Sequence, residues 1–466
     1  MTASDPPTSA PAALPTLAPA AGALLALLWT LVVLDALSGT AWAATAAVAV
    51  LLLYLGLRLP HLSLEPWLHL GAACALSAFV IGRGDAALAL AAWQRAAMVA
   101  ALITALGMLR SAASAAPMVR STGALVAAQP QGRRYLAMSL GAHVVGLILN
   151  FGVGNVLGPM VATIADARLR LSLATAVLRG LSTTFLWSPL TMSFAVVTSG
   201  VAGIDLPLLL GVGVATGVVL QLIGWALDRA RQRGNGDGDL AENVPRDPFA
   251  PVRLAAVIAT VMLLVAAIHR GLGVSMLIGV IIGAPAIALP WMALQVSRAA
   301  QVPERLSQAL GQEAVRDAHT IALMVAAATI GGLIGGLLPD AAIRAALLDG
   351  PLPVAAMPSL LMLVILVCGV LGANPLLSAM LVIGLFPDPA AIGLMPEALA
   401  LSLMAAWGLT AGFSRAGASV IVMAQAIGTT PVRLGLGHNL GFTLAAVAAV
   451  SLVAAVLPLL TGFSPP

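Results

Sequence analysis

Arg415 lies midway between Glu397 and Arg433, inside an otherwise apolar run. A charge placed there is costly and usually faces a pathway or a partner. No acidic residue occurs in the neighbouring broken or hairpin-like runs, so an anionic ligand could supply the counter-charge. The other reading is that Arg415 binds backbone carbonyls freed by a helix break. Its surroundings, Gly412-Phe413-Ser414-Arg415-Ala416-Gly417 followed by Ser419, combine small residues with hydroxyls. Thr410 lies one turn earlier. A matching interruption holds Ser182-Thr183-Thr184, then Trp187-Ser188-Pro189 and Thr191. Proline removes an N–H and frees a carbonyl one turn earlier. Two further interruptions read Asn150-Phe151-Gly152-Val153-Gly154-Asn155 and Gly372-Ala373-Asn374-Pro375.

Non-helical backbone at membrane depth survives only where protein buries it or a cavity borders it. The four interruptions are therefore candidates for a binding site. Substrate contacts are assigned to Arg415, Ser414, Gly417, Ser419, Ser188, Pro189, Thr191, Asn374 and Asn155. Ion contacts are assigned to Asn150, Gly152, Gly154, Ser182, Thr183, Thr184, Gly372, Ala373 and Thr410. Asn and hydroxyl oxygens with freed carbonyls suit Na+ as a coupling ion, with H+ as the alternative. No other metal and no cofactor is expected. For each small residue taken singly, tight helix packing is the competing reading. Arg179, at the start of the earlier interruption, reads as an arginine snorkelling to the interface.

The elements that must carry these residues follow from composition. The 466 residues are 60% hydrophobic and 9% charged, with a mean hydropathy of +1.03. Soluble domains carry about 25% charge. A soluble enzyme, a disulfide-rich secreted scaffold and a single-anchor receptor are excluded. All 22 basic residues are arginine. They punctuate apolar runs, which is a topology signal and not a nucleic-acid footprint. A span needs roughly 20 apolar residues, which leaves room for about ten. The fold class is an all-α polytopic membrane protein. Residues 1–20 read as a disordered tail, 21–227 as a first repeat, 228–253 as a cytoplasmic linker and 254–466 as a second repeat. Ser297–Asp317 alternates apolar and charged residues at helical spacing and reads as a helix on the membrane surface.

Gly180-Leu181-Ser182 with Phe185 stands against Gly408-Leu409-Thr410 with Phe413 at a constant offset. Loop charge tests the repeat independently. The loop 110–134 holds Arg110, Arg120, Arg133 and Arg134, whereas 339–352 holds Asp340, Arg344 and Asp349. The loop 166–170 holds Asp166, Arg168 and Arg170; 387–397 holds Asp388 and Glu397. The turn 201–206 holds only Asp205; 429–436 holds only Arg433. Arginine-rich short loops stay in the cytoplasm, so the halves should be inverted, as in secondary transporters. The runs 135–165 and 353–386 each have like-charged flanks. They read as re-entrant hairpins with legs too short to cross about 30 Å of hydrocarbon; one long kinked span is the alternative. The run 67–82 fits either a span or an interfacial helix, and the choice sets the side of the N-terminus.

No Walker A, HExxH or CxxC motif occurs, and Cys74 and Cys368 lie in apolar runs. His143 is the one histidine in a hairpin leg; His61, His69, His269, His319 and His438 lie near run ends. This layout resembles the ion transporter superfamily, which includes the divalent anion/sodium symporters, the arsenite-pump family and the large membrane subunit of TRAP transporters. The symporters carry Ser-Asn-Thr motifs at hairpin tips and helix breaks; here those places read Asn150–Asn155, Ser188–Thr191, Gly372–Pro375 and Ser414–Gly417. The resemblance implies an elevator-type carrier, usually a homodimer, with a scaffold part and a moving part. The expected function is a cation-coupled secondary transporter of small organic anions such as carboxylates in a bacterial inner membrane, not an enzyme. The alternatives are a TRAP-type large subunit that needs a periplasmic binding protein, a membrane enzyme or assembly factor, and a channel. The expected partners are the lipid bilayer, an anionic solute and a second copy of the chain, with no nucleic acid.

Overall fold

In hydrocarbon every backbone N–H and C=O must find its partner within the protein, and this chain answers with helices. The computed structural model describes residues 17–130, 133–231, 247–296, 298–337 and 353–463. In the first half these form α1 (Ala18–Ser38), α2 (Ala41–Arg58), α3 (Leu64–Gly82), α4 (Ala86–Ser114), α5 (Pro117–Ala127), α6 (Arg134–Leu149), α7 (Val153–Ala162), α8 (Ala167–Thr184), α9 (Met192–Gly200) and α10 (Leu206–Arg231). The second half forms α11 (Ala250–Leu272), α12 (Met276–Ala293), α13 (Val302–Arg316), α14 (Ala318–Leu337), α15 (Met357–Leu371), α16 (Pro375–Leu385), α17 (Pro396–Phe413), α18 (Ala418–Ala426) and α19 (Leu440–Thr461). Prolines open α5, α11, α13, α15, α16 and α17, where a missing N–H costs nothing.

Among the described residues, ten helices are long and apolar enough to cross a membrane: α1–α4, α10–α12, α14, α15 and α19. The chain is an all-helical, polytopic membrane protein. Leu64–Gly82 is one of the ten, which favours the span reading of 67–82.

Several boundaries differ from the expectations. Helix α1 begins at Ala18, so residues 18–20 are not tail; residues 1–16 lie outside the described residues. The 228–253 linker is helical at both ends. Helix α10 continues to Arg231 because Asp228 is buried against α8, accepting from Ser172 Oγ at 2.5 Å. Helix α11 starts at Ala250, with Pro251 in its first turn. Residues 232–246, and the acidic loop 339–352, lie outside the described residues.

The amphipathic segment forms α13, which exposes Glu304, Ser307, Gln308, Gln312 and Arg316, while its C-terminal end turns two carboxylates inward. Glu313 is buried, and both Glu313 and Asp317 bond to Arg110 of α4. For these two carboxylates a cation of another helix takes the place of solvent. The same end of the molecule gathers the start of α1, where a Cβ on Gly22 would meet Gly311 N at 2.8 Å. Tyr54 near the end of α2 donates to Ala314 O at 2.7 Å, and Ser63, just before α3, bonds to His319. The chain therefore enters α1 and α3 from the Arg110 end.

Three helix pairs, each with one helix from either half of the chain, run antiparallel. Arg110, late in α4, meets Asp317, just before α14, while Leu88, early in α4, packs on Gly336, late in α14. Arg231 at the end of α10 donates to His438 O just before α19, while Leu208 near its start packs with Leu457. Helices α8 and α17 cross in the same sense: Gly408 packs on Phe185 and Gly412 on Leu178.

Candidate functional site

The α8/α17 crossing is the hub from which both broken helices emerge. A Cβ on Gly408 would lie 2.4 Å from Ser182 O, and one on Gly412 would lie 2.4 Å from Ser182 Oγ. Only glycine allows this approach. Because the crossing is antiparallel, the breaks leave it in opposite directions. Residues 185–191 connect α8 to α9 on one side, and 414–417 connect α17 to α18 on the other.

The first break is buried and internally bonded. Ser182 Oγ donates to Leu178 O at 2.9 Å and Thr184 Oγ1 to Leu181 O at 2.7 Å. Ser188 Oγ accepts from Leu190 N at 3.2 Å, and Thr191 Oγ1 donates to Ser188 O at 2.8 Å. Pro189 is buried among them. Thr183 is a junction: Oγ1 donates to Gly180 O, accepts from Gln221 Nε2 at 2.9 Å and bonds to His143 Nδ1 at 2.9 Å. Trp187 Nε1 donates to His143 Nε2 at 3.3 Å, and the two rings stack. That makes Nε2 the acceptor and Nδ1 the donor. Both lone pairs of the Thr183 oxygen are then used. The hydroxyls tie α6, α8 and α10 together.

The second break is open. Ser414 Oγ donates to Gly369 O of α15 at 2.6 Å and accepts from Ala416 N at 3.2 Å. Thr410, one turn back, packs against Gly369 and donates to Ala406 O. Three residues on from Gly369 is the α15/α16 turn. Gly372 has φ +105°, which a side chain would strain, and Asn374 Oδ1 caps α16 by accepting from Leu376 N at 2.9 Å. Gly372, Ala373 and Arg415 are exposed, and Arg415 makes no hydrogen bond or ion pair with the described residues. Gly417 N–H donates to Ser414 O. The fold thus ties Ser414 and Thr410 to Gly369, three residues ahead of the Gly372–Asn374 turn, with Arg415 and Gly417 in the adjoining break. Ser188, Pro189 and Thr191 stand on the far side of the crossing.

The α6/α7 turn sits elsewhere against α18. Asn150 holds φ +51°, uncommon for a residue with a side chain, and its buried Oδ1 has no partner. Gly154 of α7 packs on Val422 and Gly158 on Ala426. Ser419, at the start of α18, also buries an unpartnered hydroxyl. Asn155 is exposed. Gly152 lies beside Arg110, its would-be Cβ 3.7 Å from the Cδ.

Arg179 does not snorkel. It is 3% exposed, and it donates to Asn439 Oδ1 at 2.7 Å, Tyr135 OH at 2.9 Å and Gly224 O at 3.2 Å. The Phe442 ring lies 4.9 Å from its guanidinium carbon. Asn439 in turn donates to Gly412 O at 2.9 Å. The arginine braces the crossing.

Sequence reasoning missed the carboxylates of α13. Glu313 and Asp317 are one turn apart, a spacing visible in the sequence, yet nothing local shows that they meet Arg110. A side chain at Gly107 would crowd them, since a Cβ there would be 3.3 Å from Glu313 Oε2. Desolvation raises the Glu313 carboxyl above its ordinary range, and Arg110 opposes this only in part. Among the described residues, no three His, Cys, Asp or Glu side chains are grouped to hold a metal ion.

The overall arrangement has a solved counterpart. The chain is similar to the crystal structure of the YdaH transporter of Alcanivorax borkumensis, a protein described as having an unusual topology. The TM-score is 0.53 at 15% identity, over 78% of this chain and 85% of that one. At that identity the likeness is one of fold. No protein-family description and no curated protein matches the sequence.

Proposed function

We propose that this protein is a secondary transporter of small organic anions. The observation that carries the reading is Arg415: an arginine in a helix break, exposed, without a partner among the described residues, and next to Ser414, which bonds to the helix that leads into the Gly372 turn. A carboxylate reaching it would gain a charge-assisted bond. Ser414 and the first N–H groups of α18 flank the same place, and a helix N-terminus favours negative charge.

The antiparallel pairing of α4 with α14, α8 with α17 and α10 with α19 supports two inverted repeats, the plan on which many carriers alternate access. The two helix–turn–helix segments, α6/α7 and α15/α16, are read as re-entrant hairpins. The latter has a first leg that is itself a candidate span. The fold likeness to a protein described as a transporter supports the same class. On this reading the chain belongs with the ion transporter superfamily, works by an elevator movement as a homodimer and lies in a bacterial inner membrane. Coupling is to a cation, with Na+ preferred to H+.

The test is uptake by the purified chain in proteoliposomes. A panel of labelled mono- and dicarboxylates is offered under an inward Na+ or H+ gradient. Uptake and counterflow by the chain alone are expected. Counterflow separates a carrier from a channel, and uptake without a binding protein separates it from a TRAP-type subunit. No uptake of any anion under either gradient contradicts the proposal.

A further inference from the structure

A second cation lies within a span, on α4. Arg95 is the tenth residue of α4, so it stands about 14 Å along the axis from the helix start. It is exposed and makes no hydrogen bond or ion pair with the described residues. Its guanidinium lies across Gly332 of α14, where a Cβ would come within 3.3 Å of a terminal nitrogen. The glycine opens the space that the guanidinium uses.

That space is a cavity of about 450 Å³, within the range of small-molecule sites, roughly 300–1,000 Å³. Helices α4, α9 and α12 border it, and α14 and α16, which pack backbone to backbone at Gly331–Met380 and Gly335–Gly384, form its floor. Among the described residues Arg95 is the single charge in its lining, and Arg415 is not part of it. Asp35 borders a smaller adjoining cavity of about 320 Å³ that Arg95 also touches, but it forms no ion pair with Arg95. The remaining lining is mostly apolar: Met98, Val196, Leu277, Met380 and Ile383. Ser199 Oγ donates to Val196 O at 3.0 Å, which leaves its lone pairs and not its proton toward the space.

An unpaired arginine within a span is expensive, and its usual counterpart is a ligand or pathway. One positive charge calls for one negative charge. An apolar lining calls for an apolar body, and the volume limits its size. We propose that this cavity is a binding site for a compact monocarboxylate, its carboxylate on Arg95 and its hydrocarbon body against the apolar side chains that α4, α9, α12 and α16 turn into the cavity. The site is independent of the role given to Arg415.

The experiment is direct titration of the purified full chain in lipid nanodiscs with cyclohexanecarboxylate and with its neutral amide, cyclohexanecarboxamide. Wild type should bind the acid at least tenfold more tightly than the amide. Arg95→Gln should weaken acid binding at least tenfold and leave the amide unchanged, while Arg95→Lys retains part of the preference. Ser199→Leu narrows the cavity without touching the charge and should weaken both ligands. It decides the question if Arg95→Gln fails to fold. Equal binding of acid and amide overturns the proposal, because an arginine that only reaches the interface would show it. So does unchanged acid binding in Arg95→Gln or Ser199→Leu. Loss of acid binding in Arg415→Ala with retention in Arg95→Gln also overturns it, by placing the acid at the other arginine.

Discussion

Arg179→Ala should destabilise the protein by about 3–5 kcal/mol. The side chain is 3% exposed and holds three acceptors at 3.2 Å or less, from α6, α10 and the start of α19. Hydrogen bonds to a charged group contribute about 1.5–3 kcal/mol each, and a buried acceptor left unpaired costs about 1–3 kcal/mol. The contributions are not additive: Tyr135 can turn its hydroxyl, and Asn439 keeps its own bond to Gly412 O. A loss near two such bonds, together with the cavity left beside Phe442, gives the stated range. Arg179→Lys keeps the charge but not the planar fork, so it reaches fewer acceptors. It should cost about 1–3 kcal/mol. The assay is equilibrium unfolding by SDS titration in mixed micelles, followed by tryptophan fluorescence. Asn439→Ala, alone and combined with Arg179→Ala, completes a double-mutant cycle, in which direct contact predicts a coupling of at least about 1 kcal/mol. A loss below about 1 kcal/mol for Arg179→Ala, or additivity in the cycle, would refute the bracing role.

Further outcomes follow from the same contacts. Glu313 lies in α13, outside the ten spans, with its carboxyl raised chiefly by desolvation. A raised carboxyl contributes stability that is fully present below its unfolded value and lost as pH rises through its folded value. Stability should therefore fall over that interval, and Glu313→Gln should flatten the fall; identical pH slopes in SDS unfolding would contradict the burial argument. Gly412→Val should be worse than Gly412→Ala, because even a Cβ meets Ser182 Oγ at 2.4 Å. Overpacking costs about 1–3 kcal/mol, read as a loss of monodisperse protein on size exclusion. Single cysteines introduced ahead of α1 and between α10 and α11 in a Cys74/Cys368-free background should label from the same side of oriented vesicles. Labelling from opposite sides would refute the placement of the α1 start at the Arg110 end.

The sequence carries the membrane class plainly, since so few charges leave no other fold open. The four interruptions are also legible in it. Glycine, asparagine and proline break helices by backbone rules, and each predicted break coincides with a real helix end: Asn150 in a turn, Phe185–Thr191 between α8 and α9, Gly372–Asn374 in a turn, and Ser414–Gly417 between α17 and α18. What the interruptions touch is not legible. Thr183 looks like a free hydroxyl in sequence, yet Gln221 and His143 reach it from α10 and α6. Arg179 looks interfacial because its acceptors come from residues 135, 224 and 439, which only the fold assembles. Periodicity gives α13 its amphipathic face correctly but cannot say whether water or Arg110 will satisfy it. Arg95 is inconspicuous in the sequence because α4 around it is apolar enough to hide one charge; only the cavity beside Gly332 sets it apart.

The central claim is that Arg415 engages a transported anion. Its most direct test is concentration-dependent uptake of a carboxylate found to be a substrate, by wild type, Arg415→Lys and Arg415→Ala in proteoliposomes matched for folded protein. The account predicts that Arg415→Ala loses uptake at least tenfold, mainly through a raised KM, and that Arg415→Lys recovers part of it. Uptake by Arg415→Ala equal to wild type at every concentration would contradict it.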